Sequence, residues 1–240
     1  MLQKHNLLTM LMLALVSTLL IFTACEKDED DDPATDSATD DPTNEGIVTD
    51  IDGNVYSTVQ IGDQVWMAEN LKTTTYNDGT SINLIEGNSY WGNDTLGAYC
   101  WKLNSYEHYA DAFGAIYNWY VTKNGNLCPN GWHLPTDAEW TALENYIAND
   151  GYDGAEGYAL KSTSGWHNNG GGNDNYGFAA RPTGFRFDDG EWTSAYSAYF
   201  WTATEGNAIY AYYRSISQDS TIYREWINKH YGFFVRCLKD

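Results

Sequence analysis

The sequence predicts an α+β domain in which two helices precede an antiparallel sheet. Apolar residues recur at steps of three and four in two segments, one between Asp111 and Val121 and one that begins at Thr136. Beyond Gly151 the pattern changes to short aromatic runs separated by Gly, Asn, Asp and Ser, which is typical of antiparallel strands. Helices and strands that occupy separate stretches of a chain indicate an α+β fold.

The first element of the chain, residues 1–24, is predicted to be a lipoprotein signal peptide. Lys4 precedes an apolar run from Leu7 to Phe22, which is short for a transmembrane helix. Small residues then lead into Cys25, as in bacterial lipoproteins whose cysteine receives acyl chains. We therefore expect Cys25 to hold the protein at a membrane through lipid. The alternative is a secreted protein in which Cys25 has no such role.

Residues 25–45 are predicted to form the lipidated cysteine and a disordered tether. Residues 26–45 contain ten acidic residues, one lysine and no large apolar side chain that could start a core. The formal net charge of the whole chain is −20, which disfavours nucleic acid and anionic headgroups as partners.

The run Cys25–Glu29 resembles the lipoprotein export signal of Bacteroidetes, in which a lysine and acidic residues follow the lipidated cysteine. This resemblance implies an outer-membrane lipoprotein on the cell surface. The alternative is an acidic spacer that carries no export signal. Three short triplets that begin at Asp36, Asp94 and Asp219 also resemble O-glycosylation sites of that phylum.

Residues 46–240 are even in composition and long enough for one substantial core, so we expect a single domain there. Its first β-forming runs flank two glycine-containing triplets, Asp52-Gly53-Asn54 and Gly62-Asp63-Gln64. Both triplets predict hairpin turns, because glycine readily adopts the positive φ that such turns require.

Two amphipathic helices are predicted next. In the first, within residues 111–121, the apolar stripe consists of Phe113, Ile116, Tyr117 and Tyr120. The second begins at Thr136 and ends at Gly151, and its apolar face consists of Trp140, Leu143, Tyr146 and Ile147.

The start of the second helix contains polar residues that could be mistaken for a catalytic site. Thr136 and Glu139 have the S/T-x-x-E spacing of a capping box, in which each side chain accepts the other residue's backbone N–H. Asp137 is favourable at the positive end of a helix. His133 has no second histidine at metal-ligand spacing, so we expect a core or strand-end histidine. These residues are therefore predicted to be structural.

Five aromatic runs near the end of the chain predict strands. They are GFAARPTGFRF at 177–187, AYFWTATE at 198–205, AIYAYYRSIS at 208–217, TIYREWI at 221–227 and YGFFVRCLKD at 231–240. Before them, Asn173, Asp174 and Asn175 carry the oxygen ligands that calcium takes, and they form a weak calcium candidate. No other cofactor is expected.

Several stretches resemble the Fibrobacter succinogenes major paralogous domain in the same order along the chain. They are DGN at 52–54, QVWMAENL at 64–71, YNWY at 117–120, CPNGWHLPTDAEW at 128–140, WTATE at 201–205 and GFFVRC at 232–237. The resemblance covers nearly all of residues 46–240. It implies a family of bacterial secreted and surface proteins without an established general activity.

LPTDAEW at 134–140 and the closing GFFVR at 232–236 are also distantly similar to the formylglycine-generating-enzyme branch of the C-type lectin-like fold. This similarity implies a C-type lectin-like domain with two helices, a twisted antiparallel sheet and long irregular loops. The copper site of that enzyme needs two reactive thiols, which cannot be recognised in this sequence. The signatures of calcium-dependent sugar binding are also missing, so neither site is carried over and no catalytic residue is predicted.

Three cysteines remain once Cys25 is assigned to lipid, and an oxidising compartment favours one disulfide and one free thiol. C-type lectin-like domains tie their termini to the core, so the similarity favours Cys128 with Cys237. Cys100 with Cys237 is the alternative.

Aromatic residues in apparent loops are the remaining candidates for function. They are Trp91, Tyr99, Trp101, Tyr106 and Trp166, and they stand among Gly, Asn and Asp. A flat ring beside polar acceptors is suited to holding a sugar, although core packing is the alternative for each ring. The leading hypothesis is a lipid-anchored, non-catalytic binding module for a glycan or a protein. The other hypotheses are an assembly component of the envelope or of a surface appendage and, third, a formylglycine-generating-enzyme-like oxidase.

Overall fold

The computed structural model describes residues 46–124 and 126–240. The predicted signal peptide, Cys25 and the acidic tether lie outside the described residues and stay predictions. The strands are β1 (Ile47–Thr49), β2 (Val55–Ile61), β3 (Gln64–Met67), β4 (Asn83–Leu84), β5 (Ala98–Cys100), β6 (Ile116–Asn118), β7 (Trp132–His133), β8 (Ala198–Glu205), β9 (Tyr210–Ile216), β10 (Ile222–Asn228), β11 (Gly232–Phe234) and β12 (Leu238–Lys239). The α-helices are α1 (Asn88–Trp91), α2 (Tyr106–Phe113), α3 (Asp137–Ile147) and α4 (Glu156–Leu160).

Shorter helical turns connect these elements. They are the 3-10 helices Lys102–Asn104, Trp119–Asn124 and His167–Asn169 and the π-helical turn Ala148–Tyr152. Helices together with largely antiparallel strands confirm the α+β prediction. The described residues contain two sheets and four short α-helices, so the expectation of two helices and one sheet is wrong. The C-type lectin-like assignment stays a prediction.

The first sheet has the strand order β1-β2-β3-β12-β7. Both predicted hairpin turns are confirmed, because β2 pairs antiparallel with β1 and with β3. Gly53 and Gly62 in these turns have φ values of 84° and 61°, which other residues rarely adopt. Asp50 stabilises the first turn, since its Oδ1 accepts hydrogen bonds from the backbone N–H groups of Asp52 and Asn54.

A disulfide supports the closure of this sheet. Strand β12 lies between β3 and β7 and so joins the end of the described chain to its beginning. Cys128 and Cys237, which precede β7 and β12, form the disulfide with 6.0 Å between their Cα atoms. The favoured pairing is therefore confirmed and the alternative with Cys100 is wrong, because Cys100 is a buried free thiol.

The second sheet has the strand order β10-β9-β8-β11-β6-β5-β4, and it separates two hydrophobic clusters. Adjacent residues on its central strands point to opposite faces. Tyr117 and Phe233 belong to one cluster, whereas Ile116 and Phe234 belong to the other. These central strands are apolar at consecutive positions because they are buried on both faces.

The same burial explains why the helix predicted within 111–121 is wrong. The helix in this region is α2, which ends at Phe113, whereas Ile116 and Tyr117 belong to β6 and Tyr120 to a 3-10 helix. Gly114 separates them with a φ of 78°, and a Cβ there would lie 2.8 Å from the Leu71 carbonyl oxygen. A short apolar run that is buried on both faces cannot be told from a helix by periodicity alone.

The second predicted helix is confirmed as α3. Its capping box is complete, because Thr136 Oγ1 accepts the Glu139 N–H at 3.2 Å and Glu139 Oε2 accepts the Thr136 N–H at 2.7 Å. Trp140, Leu143 and Ile147 are fully buried on its inner face. Tyr146 is 43% exposed and lies at the margin of that face.

Four of the five predicted late runs contain strands, namely β8, β9, β10 and the pair β11 and β12. The run at 177–187 is not a named strand and makes only isolated bridges, such as Arg186 with Gly232. Pro182 has no N–H for a ladder, and Ala179 has a φ of 50°, so the backbone cannot stay regular there. The strand prediction for this run is wrong. Among the described residues, no helix has the length and apolar character needed to cross a membrane.

Candidate functional site

Four of the five aromatic residues predicted to bind a ligand are buried. Trp91 is fully buried, and Trp101, Trp166 and Tyr99 are only 6%, 6% and 8% exposed. A ring enclosed by other side chains has no face free for a sugar, so the prediction is wrong for these four residues. Tyr106 is 61% exposed, and its role stays a prediction.

Trp91 illustrates why these loop aromatics are buried. The guanidinium carbon of Arg186 lies 4.5 Å from the Trp91 ring centroid and 5.2 Å from that of Trp192. Besides these cation–π contacts, Arg186 donates four hydrogen bonds, to the carbonyls of Ile85, Glu86 and Gly190 and to Asn88 Oδ1. The Gly- and Asn-rich segments around Trp91 therefore fold back over a buried arginine and do not form an open loop.

The predicted calcium residues make local hydrogen bonds. Asp174 Oδ1 accepts the Ala179 N–H at 2.7 Å, and Asn173 Oδ1 accepts the Asn175 N–H at 3.3 Å. Burial raises the pKa of Asp174, which disfavours its charged form. Within residues 46–124 and 126–240 no group of three or more His, Cys, Asp or Glu side chains could hold a metal. The calcium site stays a prediction.

His133 lies at the end of β7, as expected for a strand-end histidine, and both ring nitrogens have partners. Nδ1 lies 2.6 Å from Asp240 Oδ1, and Nε2 lies 3.0 Å from Glu139 Oε1. Burial lowers the pKa of His133, but the hydrogen bonds with Asp240 and Glu139 outweigh this effect and raise it overall. His133 therefore links the capping residue of α3 to the chain beyond β12.

The outermost strands of the second sheet carry the most exposed tryptophan of the described chain. We define the aromatic platform as Tyr210 and Tyr212 on β9 together with Arg224 and Trp226 on β10. Trp226 is 58% exposed and Tyr210 is 38% exposed. Their ring centroids are 5.5 Å apart, with an interplanar angle of 56°.

The register of the hairpin places these four side chains on one face. Trp226 pairs with Tyr212, and Arg224 pairs with Arg214, so residues of even number in β9 and β10 share that face. The Arg224 guanidinium carbon lies 4.5 Å from the Tyr212 ring centroid, in a cation–π contact. The platform therefore presents two aromatic rings and an arginine-covered third ring side by side.

An ion-pair network fixes the platform to the N-terminus of α3. Asp137 Oδ1 accepts hydrogen bonds from Arg214 Nη1 at 2.6 Å and from Arg224 Nε at 2.8 Å. Its Oδ2 accepts Arg224 Nη2 at 2.8 Å, so the contact with Arg224 is bidentate. Arg214 is fully buried and also contacts Glu144 Oε1 at 2.5 Å. The network holds the charged end of the platform in one orientation.

Burial raises the pKa of Asp137, but its hydrogen bonds with Arg224 and Arg214 outweigh that effect and lower it overall. Asp137 is therefore ionised at neutral pH and keeps both arginines paired. The predicted structural role of this residue is correct, although its arginine partners on β9 and β10 are separated from it by more than seventy positions and were not predicted.

The sequence does not mark Trp226 as a binding residue. The run TIYREWI was correctly predicted as a strand, but both of its alternating sets contain an aromatic and a charged residue. Alternation therefore did not show which set faces solvent. The presence of a charged residue in both sets does indicate an edge strand, because such a pattern is typical of a sheet edge.

The cysteines of the described chain offer no pair of free thiols. Cys128 and Cys237 are joined in the disulfide, and Cys100 is fully buried. Burial raises the pKa of Cys100 to about 12, and the opposing effect of the nearby Arg186 charge is smaller. The thiol form of Cys100 is therefore the stable one at neutral pH.

The comparisons with known proteins place the chain in a family. The profile of the Fibrobacter succinogenes major domain matches residues 59–239. Neither a curated protein nor a solved structure matches the chain. The matched region contains the capping box, the disulfide and both strands of the aromatic platform. The chain therefore belongs to the Fibrobacter succinogenes major domain family.

Proposed function

We propose that the protein is a lipid-anchored, non-catalytic binding module of the bacterial cell surface, and that its aromatic platform binds a glycan. The observation that carries this proposal is the exposure of Trp226 beside Tyr210 on two paired strands. A sugar ring has a C–H-rich face that packs on an aromatic ring and hydroxyl groups that need polar partners. The exposed rings of Trp226 and Tyr210 supply an apolar surface for such contacts.

Polar groups for the hydroxyls lie on the same face. Arg224 is about half exposed, so part of its guanidinium group can donate to a ligand while Asp137 holds the rest. Asn228 pairs with Tyr210 at the end of β10, and its Oδ1 accepts the His230 N–H at 3.1 Å. The Asn228 amide nitrogen remains available as a donor in the described part of the chain.

A site on paired strands suits binding because little order is lost when a ligand arrives. Tyr210, Tyr212, Arg224 and Trp226 are held by a seven-residue ladder, and Arg224 is also held by Asp137. Preorganised side chains lose less conformational entropy on binding than side chains on mobile loops. Tyr106 is a single exposed ring at the start of α2, whereas the platform offers two exposed rings and a half-exposed arginine, and is therefore the larger contact surface.

The non-catalytic part of the proposal is supported by the state of the cysteines. An oxidase related to the formylglycine-generating enzyme would need two reactive thiols in one pocket. Cys128 and Cys237 are engaged with each other, and Cys100 is a buried thiol. A titration with Cu(I) tests this part directly, because thiolate-bound copper in the folded domain would contradict it.

The surface location rests on Cys25 and the acidic run that follows it. If the proposal is correct, labelled palmitate is incorporated into the wild-type protein and not into Cys25→Ala. Protease added to intact cells should then remove the wild-type domain. Protection of the domain until the outer membrane is opened would contradict the surface location.

The glycan proposal is tested with a panel of polysaccharides in affinity electrophoresis and titration. Trp226→Ala should weaken binding at least about tenfold, because tryptophan is enriched among the binding residues whose truncation costs about 2 kcal/mol or more. Tyr196→Ala is the matched control, since Tyr196 is 52% exposed and lies outside the platform. Tyr106→Ala tests the remaining residue of the sequence prediction. Equal binding by wild type and Trp226→Ala would refute the platform as the site.

A second function, assembly into a larger surface structure, is favoured by one observation. Strand β10 is the last strand of its sheet and pairs only with β9 among the described residues. Its residues 223–226 are exposed, so its outer edge is open to a strand of another chain. Sedimentation of the purified protein tests this alternative, because a monomer at high concentration would contradict self-assembly through β10.

A further inference from the structure

A cleft of about 360 Å³ lies beside β2 and α2 and does not include the aromatic platform. Its walls come from β2, from the segment that follows β3 and from the C-terminal end of α2. The charged residues of its lining are Glu69, Lys72, Asp111, Arg181 and Arg236. A cleft of this size is at the lower end of the range for small-molecule sites.

Arg236 forms the floor of this cleft and has unused hydrogen-bonding capacity. Only 2% of its surface is exposed, and its guanidinium carbon lies 4.1 Å from the Phe178 ring centroid. Nε and Nη2 donate to Asn70 Oδ1 at 3.3 and 3.0 Å, and Nη1 donates to the Phe178 carbonyl. An arginine has five N–H groups, so two remain without a partner within the described part of the chain.

The positive charge of Arg236 also has no direct counter-ion. Among residues 46–124 and 126–240, neither Arg236 nor Arg181 forms an ion pair. Burial lowers the pKa of Arg236, but an arginine stays protonated at neutral pH. The charges of Glu69 and Asp174 act on Arg236 without a direct ion pair, and a buried charge without a directly paired counter-ion is costly.

Two other buried arginines show how this fold ordinarily accommodates such a group. Arg214 forms ion pairs with Asp137 and Glu144. Arg186 has no carboxylate partner among the described residues, but all three of its nitrogens donate and it contacts two tryptophan rings. Arg236 resembles Arg186, because all three of its nitrogens donate and its guanidinium carbon lies 4.1 and 5.3 Å from the ring centroids of Phe178 and Phe200, but it makes three hydrogen bonds where Arg186 makes four. Arg236 also lines the cleft, which makes its two remaining N–H groups candidate donors for an anion there.

We propose that the cleft binds a small organic carboxylate, whose oxygens accept hydrogen bonds from Arg236 and Arg181. Arg181 is exposed at the cleft, and its one hydrogen bond to the described part of the chain is long, from Nη1 to the Ala112 carbonyl at 3.4 Å. It is therefore free to turn toward a ligand. A planar guanidinium matches the geometry of a carboxylate, and the pairing is strong where water is excluded.

The acids in the lining select a singly charged ligand that also carries donors. Glu69 accepts hydrogen bonds from the Ser57 N–H and hydroxyl at 2.7 and 3.1 Å, and Asp111 pairs with Lys72 at 2.9 Å. Both carboxylates would repel a doubly charged phosphate. The same oxygens can accept hydrogen bonds from hydroxyl groups of the ligand. A hydroxylated carboxylic acid therefore fits this cleft better than phosphate.

Titration of the folded protein with D-glucuronate tests this site, with D-glucose as the uncharged counterpart and inorganic phosphate as the competing anion. Glucuronate should bind more tightly than glucose and phosphate. Arg181→Gln should weaken glucuronate binding about tenfold, through loss of a charge-assisted hydrogen bond. Lys123→Gln removes one exposed positive charge outside the cleft and should leave binding unchanged.

Arg236→Lys keeps the charge but removes the guanidinium fork, and it should weaken binding more than Arg181→Gln. Near-UV circular dichroism checks its fold, and Arg181→Gln decides the question if Arg236→Lys does not fold. The proposal is overturned if glucose or phosphate binds as well as glucuronate, or if Arg181→Gln binds like wild type. If Trp226→Ala loses glucuronate binding and Arg181→Gln keeps it, the acid binds at the aromatic platform, and the proposal for the cleft is overturned.

Discussion

The ion-pair network under the aromatic platform makes the sharpest stability prediction. Asp137→Ala removes the carboxylate that pairs with both Arg214 and Arg224. Arg214 is fully buried and keeps only Glu144 as a charged partner after the change. Removal of one member of a buried ion pair costs about 3 to 5 kcal/mol. Because Glu144 remains, we expect the lower end, a loss of about 3 kcal/mol in the free energy of unfolding.

Asp111→Ala is the matched control for this prediction. The Asp111 side chain is 93% exposed, and its one ion pair within the described residues is with Lys72, at 2.9 Å. An exposed ion pair contributes about 0.2 to 1 kcal/mol at most, so this variant should unfold nearly like wild type. Arg224→Ala removes the exposed arginine of the network. It should lower the free energy of unfolding by about 1 kcal/mol or less, because the Arg224 side chain is 49% exposed.

Urea unfolding with the disulfide intact, followed by tryptophan fluorescence, gives these free energies. The pH dependence is a second readout. The pKa of Asp137 is lowered in the folded protein, so its contribution is present above the ordinary pKa of 3.8 and is lost as pH falls through the lowered value. Losses for Asp137→Ala and Asp111→Ala that agree within about 1 kcal/mol would refute the buried-network argument.

Three further predictions follow from His133 and the cysteines. The pKa of His133 is raised in the folded protein, so its stabilising effect is present below about pH 6.5 and is lost as pH rises through the raised value. In urea unfolding, the free energy of unfolding of wild type should exceed that of His133→Gln by more at about pH 6 than at about pH 8. An equal difference at both pH values would contradict this. Replacement of Cys128 and Cys237 by serine should lower the free energy of unfolding by about 4.7 kcal/mol in the loop-entropy model, because 109 positions separate them. A loss below about 1 kcal/mol would show that the bridge adds little. Finally, Cys100 should react with a thiol reagent only in denaturant, because burial raises its pKa to about 12; peptide mass mapping of label on Cys100 in the native protein would disprove its burial.

Local features of the fold could be predicted from the sequence. The turns at Gly53 and Gly62 and the capping box of Thr136 and Glu139 depend on residues within a few positions of one another. Their geometry follows from glycine's access to positive φ and from the unpaired N–H groups at the start of a helix. The helix α3 was predicted correctly for the same reason.

The strand β6 could not be predicted in this way. Ile116 and Tyr117 are both buried, one on each face of the second sheet, so the alternation that normally marks a strand is absent. The sequence then shows apolar residues at spacings that also fit a helix. Only the strands on either side, β5 and β11, decide that this segment is extended.

The candidate site was predicted less well than the fold. Trp91 and Trp166 stand among glycines and asparagines and were expected to be exposed, whereas packing against Arg186 and Lys161 buries them. Trp226 stands in a regular strand and is exposed. The composition of the neighbouring residues does not determine exposure, because burial of a ring depends on segments that are distant in the chain.

The sequence by itself determined the family, the turns, the cap of α3 and the cysteines available for a disulfide. Each of these depends on residue identity at short, defined spacings. The tertiary structure decided which side of β10 faces solvent, which places Trp226 on the aromatic platform. It also decided that Arg236 lines a cleft and has no ion-pair partner among the described residues. The physical reason is that burial and charge pairing are set by contacts between distant segments, and those contacts exist only once the two sheets have packed together.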